Sequence, residues 1–209
     1  IVENAEVVNL IVRGGKAAGA ETATDFFSAE TVVLTTGAWT SLVKLDGFDL
    51  PFKVRPIRGQ MLSFQTAKRF FRHVVYSPRG YLVPRRDGRI LAGATVEDAG
   101  FDKSLTEAGI EFLLEHTLEI APSLANLEIN DKWSGLRPFA ADGMPVVGAL
   151  PGAENLFAAT AHYRNGILLA PITAETLAGK IVKNVESRYL QIFSPLKSQE
   201  SRVKSQEVG

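Results

Sequence analysis

Arg137 sits where a guanidinium is hard to place. It follows Trp133-Ser134-Gly135-Leu136, is stopped by Pro138, and leads to a polar turn and the short apolar strand of Asp142-Gly143-Met144-Pro145-Val146-Val147-Gly148. Burying an unpaired guanidinium is costly, so a fold that encloses this segment must supply an anion. The planar fork suits a carboxylate held by two parallel hydrogen bonds. That carboxylate belongs either to an internal Asp or Glu, as in structural ion-pair networks, or to a ligand.

A second stretch bears on the choice. His162-Tyr163-Arg164-Asn165-Gly166-Ile167-Leu168-Leu169-Ala170-Pro171 follows an expected strand over Asn155–Thr160 and opens an apolar helical run. Open α/β sheets place ligands in this layout, at the carboxyl ends of strands and against helix N-termini whose free N–H groups favour negative charge. An ordinary strand-to-helix turn accounts for Asn165-Gly166 but not for the neighbouring His162 and Arg164.

The chain of 209 residues is 45% hydrophobic, enough for one large domain or two small ones with a real core. Lys+Arg and Asp+Glu are both 23, so no charge imbalance points to nucleic acid or an anionic membrane. With no cysteine, disulfide frameworks, Cys zinc sites and thiol catalysis are excluded, which fits a reducing compartment; the cytoplasm is expected from the absence of targeting signals. The three histidines, at 73, 116 and 162, form no metal-ligand cluster by spacing. No apolar run reaches the roughly 18 residues of a membrane-spanning helix. Ile1-Val2-Glu3-Asn4 has neither an initiator Met nor a signal-peptide layout, and reads as the middle of a fold.

Along the chain, Glu6–Arg13 and Ala20–Phe27 are expected strands joined through a hairpin at Gly14-Gly15-Lys16. Thr31–Thr35 is a continuous β-branched run, expected to be buried on both faces as in a parallel sheet, ending at Thr36-Gly37-Ala38-Trp39. Pro51–Pro56 reads as a connection into a different architecture of antiparallel strands: Gln60–Gln65, His73–Ser77, Tyr81–Arg85 and Arg89–Thr95. Asp87-Gly88 predicts a two-residue hairpin turn, and Pro84 an edge strand or an outward-facing position. Tyr81, Val83 and Arg85 share one face by alternation.

Ser104-Leu105-Thr106-Glu107 matches a capping box for a helix to about Ile120, with Ile110, Leu113, Leu114, Leu118 and Ala121 as its apolar stripe and His116 among solvated residues. Leu127–Leu136 and Pro145–Leu150 are further strands. The last helix is expected over Leu168–Val185, with Leu177, Ile181 and Val182 buried and Pro171 near its first turn. The polar tail from Ser194 reads as disordered. Dinucleotide sites open with Gly-x-Gly-x-x-Gly after a first strand, and this chain has none. What remains is one buried strand, an antiparallel sheet with a helix, and a closing strand–helix unit, as if the first half of a two-domain α/β enzyme had been removed.

Seven segments in this order carry a family resemblance: Thr31–Trp39, Arg58-Gly59-Gln60, Tyr81–Arg85, Gly88–Thr95, Trp133–Pro138, Asp142–Gly148 and His162–Pro171. The chain resembles the C-terminal half of a flavin-dependent D-amino-acid oxidase family member, closest to the glycine oxidases of thiamine biosynthesis. The resemblance implies an α+β / α/β two-domain flavoprotein missing its N-terminal dinucleotide-binding segment, with an antiparallel substrate-domain sheet and helix. Residues 1–45 would end the FAD-binding domain, 46–133 form the substrate-binding domain, 134–190 return to the FAD-binding domain, and 191–209 form a tail.

The same resemblance implies roles. Arg137 would pair with the substrate α-carboxylate, assisted by the Tyr81 hydroxyl, and Arg164 would line the same pocket near the flavin. Gly166, Ile167 and Leu168 would offer N–H groups to the flavin, with His162 and Asn165 beside them. Gly37, Ala38 and Trp39 would lie along the cofactor, and Val7 would touch the adenine through its backbone. The implied reaction is FAD-dependent oxidative deamination of glycine, sarcosine or a D-amino acid: hydride transfer to the flavin, then reoxidation by O2 to hydrogen peroxide. No general base is nominated, since an amine bound neutral needs none. The implied partners are the amino acid, O2 and the N-terminal half, on the same or a separate chain, with a homo-oligomer left open. Two alternatives stay open: a related FAD-dependent amino-acid dehydrogenase, and an inactive binding module.

Overall fold

The structure is a computed structural model describing residues 1–66 and 71–197. Its strands are β1 (Val7–Arg13), β2 (Lys16–Thr22), β3 (Phe26–Ser28), β4 (Val32–Leu34), β5 (Lys44–Leu45), β6 (Val54–Gln65), β7 (Val75–Ser77), β8 (Gly80–Pro84) and β9 (Arg89–Gly93). Helix α1 (Glu107–Ile120) follows, then β10 (Ile129–Ala140), β11 (Val146–Ala149), β12 (Leu156–Thr160), α2 (Gly166–Lys183) and α3 (Arg188–Ile192). The chain divides into two compact units, residues 1–55 with 137–209, and residues 56–136. Both boundaries fall inside long strands, β6 and β10, rather than in loops.

The first unit holds two sheets. One has the order β3-β2-β1-β5, the other β11-β12-β4. Gly14 and Gly15 both take positive φ, +57° and +77°, so the turn needs only these two residues and β2 begins at Lys16. The expected strand over Ala20–Phe27 is therefore two, broken at Thr22, whose hydroxyl accepts from the Thr24 and Asp25 amides. Asn155 joins the sheets, its amide donating to the Ala17 carbonyl (2.8 Å) and accepting from the Ala17 N–H (2.7 Å). One core cluster runs through both, with Leu10, Leu34, Phe52, Val146 and Leu156 buried.

Strand β4 runs parallel to β12 and occupies the sheet edge among the described residues. It is not buried on both faces: Leu34 is buried, but Val33 is exposed. On α2, Leu177 is buried and Ile181 partly so, whereas Val182 points outward. Pro171 lies in the second turn rather than the first, so its missing N–H leaves the Ile167 carbonyl without its helical donor. Helix α3 was not expected from the sequence. Leu190 and Pro195 are buried and the Val147 N–H donates to the Phe193 carbonyl (2.8 Å), so the chain is packed through this region rather than loose from Ser194. Positions 198–209 lie outside the described residues.

The second unit is built on a sheet ordered β10-β6-β9-β8-β7. Strand β6 begins at Val54, inside the expected connection, and β10 continues through Pro138 to Ala140 rather than stopping at Leu136. Leu62, Phe64, Leu82, Ile90 and Ala92 form one buried face against the Leu113 side of α1. Strand β8 is interior, not an edge. Pro84 is tolerated because pairing with β7 ends at Leu82, leaving its nitrogen side without a ladder partner. The β8–β9 loop is a three-residue turn, closed by the Arg85 N–H donating to the Arg89 carbonyl (2.8 Å). Only Gly88 has positive φ (+88°), because the Asp87 carboxylate takes the Arg89 amide and guanidinium instead of entering the left-handed region.

Helix α1 starts by a device that reaches across the fold. Its N-cap is Thr106, whose hydroxyl accepts from the Gly109 N–H. Where a capping box would use a Glu or Gln at the third helical position, Gln60 of β6 accepts the Thr106 N–H instead (2.9 Å). Gly109 holds that third position because a Cβ there would strike the Gln60 amide. Ser104 serves Asp102 and Arg58 rather than the helix. Nor is His116 solvated: it is buried and stacked on Phe112, with Nδ1 2.5 Å from the Phe112 carbonyl.

Beneath this helix start lies an ion-pair network. Arg58, 6% exposed, donates to Glu97 from Nη2 (2.6 Å) and Nε (2.9 Å) and to Asp102 (2.8 Å). Gln60 (2.8 Å) and Thr95 also donate to Glu97. Burial alone would push the Glu97 carboxyl up, but the Thr95, Gln60 and Arg58 hydrogen bonds outweigh it and hold it below its ordinary value of 4.5. Its stabilising contribution is thus complete above about pH 4.5 and is lost as pH falls through the lower native value. Glu97→Ala is expected to cost about 3 kcal/mol in urea unfolding, since the buried Arg58 loses its main partner. It should also flatten the stability–pH curve in acid. A curve parallel to wild type would contradict this account.

Candidate active site

Strands β4 and β12 are parallel neighbours, so their carboxyl ends open on the same side of the sheet. After β4 the chain turns at Gly37 (φ +54°) into a 3₁₀ turn over Gly37–Leu42. Thr40 donates to the Gly37 carbonyl (2.7 Å) and shares a buried hydroxyl contact with Thr160, the last residue of β12 (2.8 Å). The segments carrying Gly37, Ala38 and Trp39 and carrying His162–Leu168 are thereby held side by side. Ala38 is buried and offers only backbone, whereas Trp39 is 46% exposed.

The loop after β12 is strained. Ala161 (φ +60°) and Tyr163 (φ +51°) both occupy the left-handed region, which non-glycine residues visit at a cost of about 1–3 kcal/mol each. The strain turns the Tyr163 N–H onto the Pro138 carbonyl (3.0 Å), tying the loop to the end of β10. The stretches around Arg137 and around Arg164 are therefore brought together within the first unit. The Phe139 ring meets Tyr163 edge-on at 5.0 Å, with Arg55 over Phe139 at 5.0 Å and Arg164 over Tyr163 at 5.5 Å. Arg137 shares the Phe139 face of β10 by strand alternation and is half-buried.

Helix α2 begins without a side-chain cap: Asn165 makes no capping hydrogen bond, and the first helical bond is from the Leu169 N–H to the Asn165 carbonyl (2.8 Å). The N–H groups of Gly166, Ile167 and Leu168 are left without helical acceptors, while the Ile167 side chain is 97% exposed. The position of a Cβ on Gly37 is likewise open space. Outward donors at a positive helix end, exposed apolar side chains and an open glycine suit a flat aromatic group bearing acceptors, so these residues fit a flavin.

His162 turns the other way, with Nε2 3.0 Å from the Thr173 hydroxyl. It edges an apolar cavity of about 240 Å³ with Val147, Leu169, Ile172 and Phe193. Burial holds its imidazole below the ordinary value of 6.5. Val7 opens β1 in the other sheet of this unit, paired with Thr22. Tyr81 lies in the second unit on β8, stacked on Tyr76 with ring centroids 6.1 Å apart. Sequence reasoning missed Phe139, the Thr40–Thr160 contact and the left-handed Tyr163. The i, i+4 spacing of Thr36 and Thr40 hints at the turn, but nothing local marks Thr160 as its partner.

A family model described as DAO, FAD dependent oxidoreductase, matches residues 1–180. The chain is 38% identical over 174 residues to a glycine oxidase of Pseudomonas putida, covering 83% of this chain and 47% of that protein. It is 39% identical over 197 residues to a bifunctional ThiO/ThiG protein of Nostoc, covering 92% of this chain and 29% of that one. Among solved structures, a glycine oxidase from Bacillus cereus superposes with a TM-score of 0.83 at 31% identity, over 90% of this chain and 53% of that chain. The chain thus spans about half the length of the glycine oxidases it matches. It belongs to the DAO family of FAD dependent oxidoreductases.

Proposed function

We propose that this chain forms the substrate-binding part of an FAD-dependent oxidase of small amino acids, with glycine, sarcosine or a small D-amino acid as its substrate class. The observation that carries the reading is the Tyr163–Pro138 hydrogen bond, which sets the Arg137 strand end against the Arg164 loop at the carboxyl ends of parallel strands. In this reading Arg137 holds the substrate carboxylate through paired charge-assisted hydrogen bonds, and Arg164 adds positive charge beside it. Tyr81 is assigned a hydroxyl contact to the same carboxylate on the strength of its sequence motif. FAD, when bound, supplies the two-electron acceptor for the amino-acid Cα–H. The chain's own contribution is to fix the carboxylate and so the Cα–H, while the free N–H groups at the start of α2 favour negative charge on the cofactor. The amine enters neutral and no side chain acts as base.

The FAD-loaded protein is expected to show bound-flavin absorption that bleaches on anaerobic addition of glycine, and to release hydrogen peroxide in air. Failure of glycine, sarcosine and D-alanine alike to bleach it would remove the substrate assignment, and bleaching without peroxide would favour a dehydrogenase. Arg137→Ala should raise the KM for glycine by about 100-fold, the loss of a charge-assisted carboxylate contact. An unchanged KM would sink the assigned role.

A further inference from the structure

Four residues lie in one row across the second unit's sheet: Met61 of β6 is opposite Gly93 of β9, Gly93 is opposite Tyr81 of β8, and Tyr81 is opposite Tyr76 of β7. Adjacent residues Leu62, Leu82 and Ala92 are buried in the core on the other face, so the backbone under this row is fixed. The row has one missing side chain, at Gly93. Its φ is not in the left-handed region, so φ does not demand a glycine there. Space does. A Cβ on Gly93 would stand 2.9 Å from the Tyr81 Oη, 3.0 Å from its Cζ and 2.9 Å from the Met61 Cε. The phenol therefore lies over the empty position, backed by the nearly parallel Tyr76 ring (7° between planes) and facing the Met61 sulfur, 4.0 Å from Oη. A thioether is a weak acceptor. Among the described residues the Tyr81 hydroxyl has no stronger one, so its proton is kept for another group.

We propose that Gly93 and Met61 are positioning residues for Tyr81. The side-chain gap at Gly93 is the slot that lays the phenol in place, and Met61 closes its far end with a group too weak to occupy the hydroxyl. The ligand that this hydroxyl serves is the amino-acid carboxylate, and in that respect the inference rests on the substrate reading above. Gly93→Ala fills the slot and must displace the tips of Tyr81 and Met61. Met61→Ala opens the far end and lets the tip drift.

The test is acetate affinity, measured by ligand titration of the FAD-loaded protein, a readout independent of turnover. Gly93→Ala is expected to weaken acetate binding about tenfold and Met61→Ala by a smaller factor, in line with a lost hydrogen bond to a charged group. In a Tyr81→Phe background both effects should vanish, because the hydroxyl through which they act is gone. Full losses that persist in that background, or no loss in either single variant, would overturn the proposal. If Gly93→Ala does not fold, the Met61→Ala pair decides alone. Arg137→Ala is the control for the underlying reading: unchanged acetate affinity there removes the substrate assignment, whereas a loss there with Gly93 and Met61 silent overturns only the present inference.

Discussion

One backbone hydrogen bond, from the Tyr163 N–H to the Pro138 carbonyl, organises the first unit's candidate site. Its net worth is about 1 kcal/mol, comparable to or less than the strain of a left-handed tyrosine. It cannot hold the loop by itself. The geometry is over-determined by what surrounds it: Ala161 is fully buried, the Thr40 and Thr160 hydroxyls meet beneath it, and Phe139 packs edge-on against the Tyr163 ring. Arg55 and Arg164 flank the aromatic pair, so a run of cation, ring, ring and cation crosses the junction.

The second unit solves a different problem, that of starting a helix and holding a charge without water. Gln60 and Arg58 are buried in β6, and each is useful only because loops far along the chain return to it. Glu97 takes donors from Arg58, Gln60 and Thr95 at once, so the strand, the loop and the cap of α1 share one polar cluster. Arg58 is thus a buried, carboxylate-paired arginine.

Features written in local periodicity were legible. The α1 stripe, the glycine hairpin and the strand of Leu156–Thr160 followed from patterns of apolar and turn residues over a few positions. Features decided by distant partners were not. Ser104 has the right spacing to Glu107, yet the helix is capped two residues on by Thr106, whose N–H is taken by Gln60 of β6. Pro138 looks like a stop, but β10, at the edge of its sheet among the described residues, runs past it to Ala140. His116 sits among charged residues in the sequence, and only the α1 surface turned toward Gly80 buries it. For the site, the two arginine stretches were visible as unusual chemistry, whereas the backbone bond joining them depends on a left-handed Tyr163 that no propensity favours.

Pro171 has one more consequence. Without its N–H, the Ile167 carbonyl has no helical donor, and the first turn of α2 is joined to the rest of the helix by one fewer bond. Ile167 and Leu168 are also the helix's most outward side chains in that turn and bury almost nothing. Substitutions among Gly166–Leu168 therefore weigh little on folding. Selection can reshape this turn to suit a bound group while the hydrophobic anchor at Leu177, two turns beyond the proline, keeps the helix in place. In this fold, a stretch that folding constrains little and the open donor end of α2 coincide.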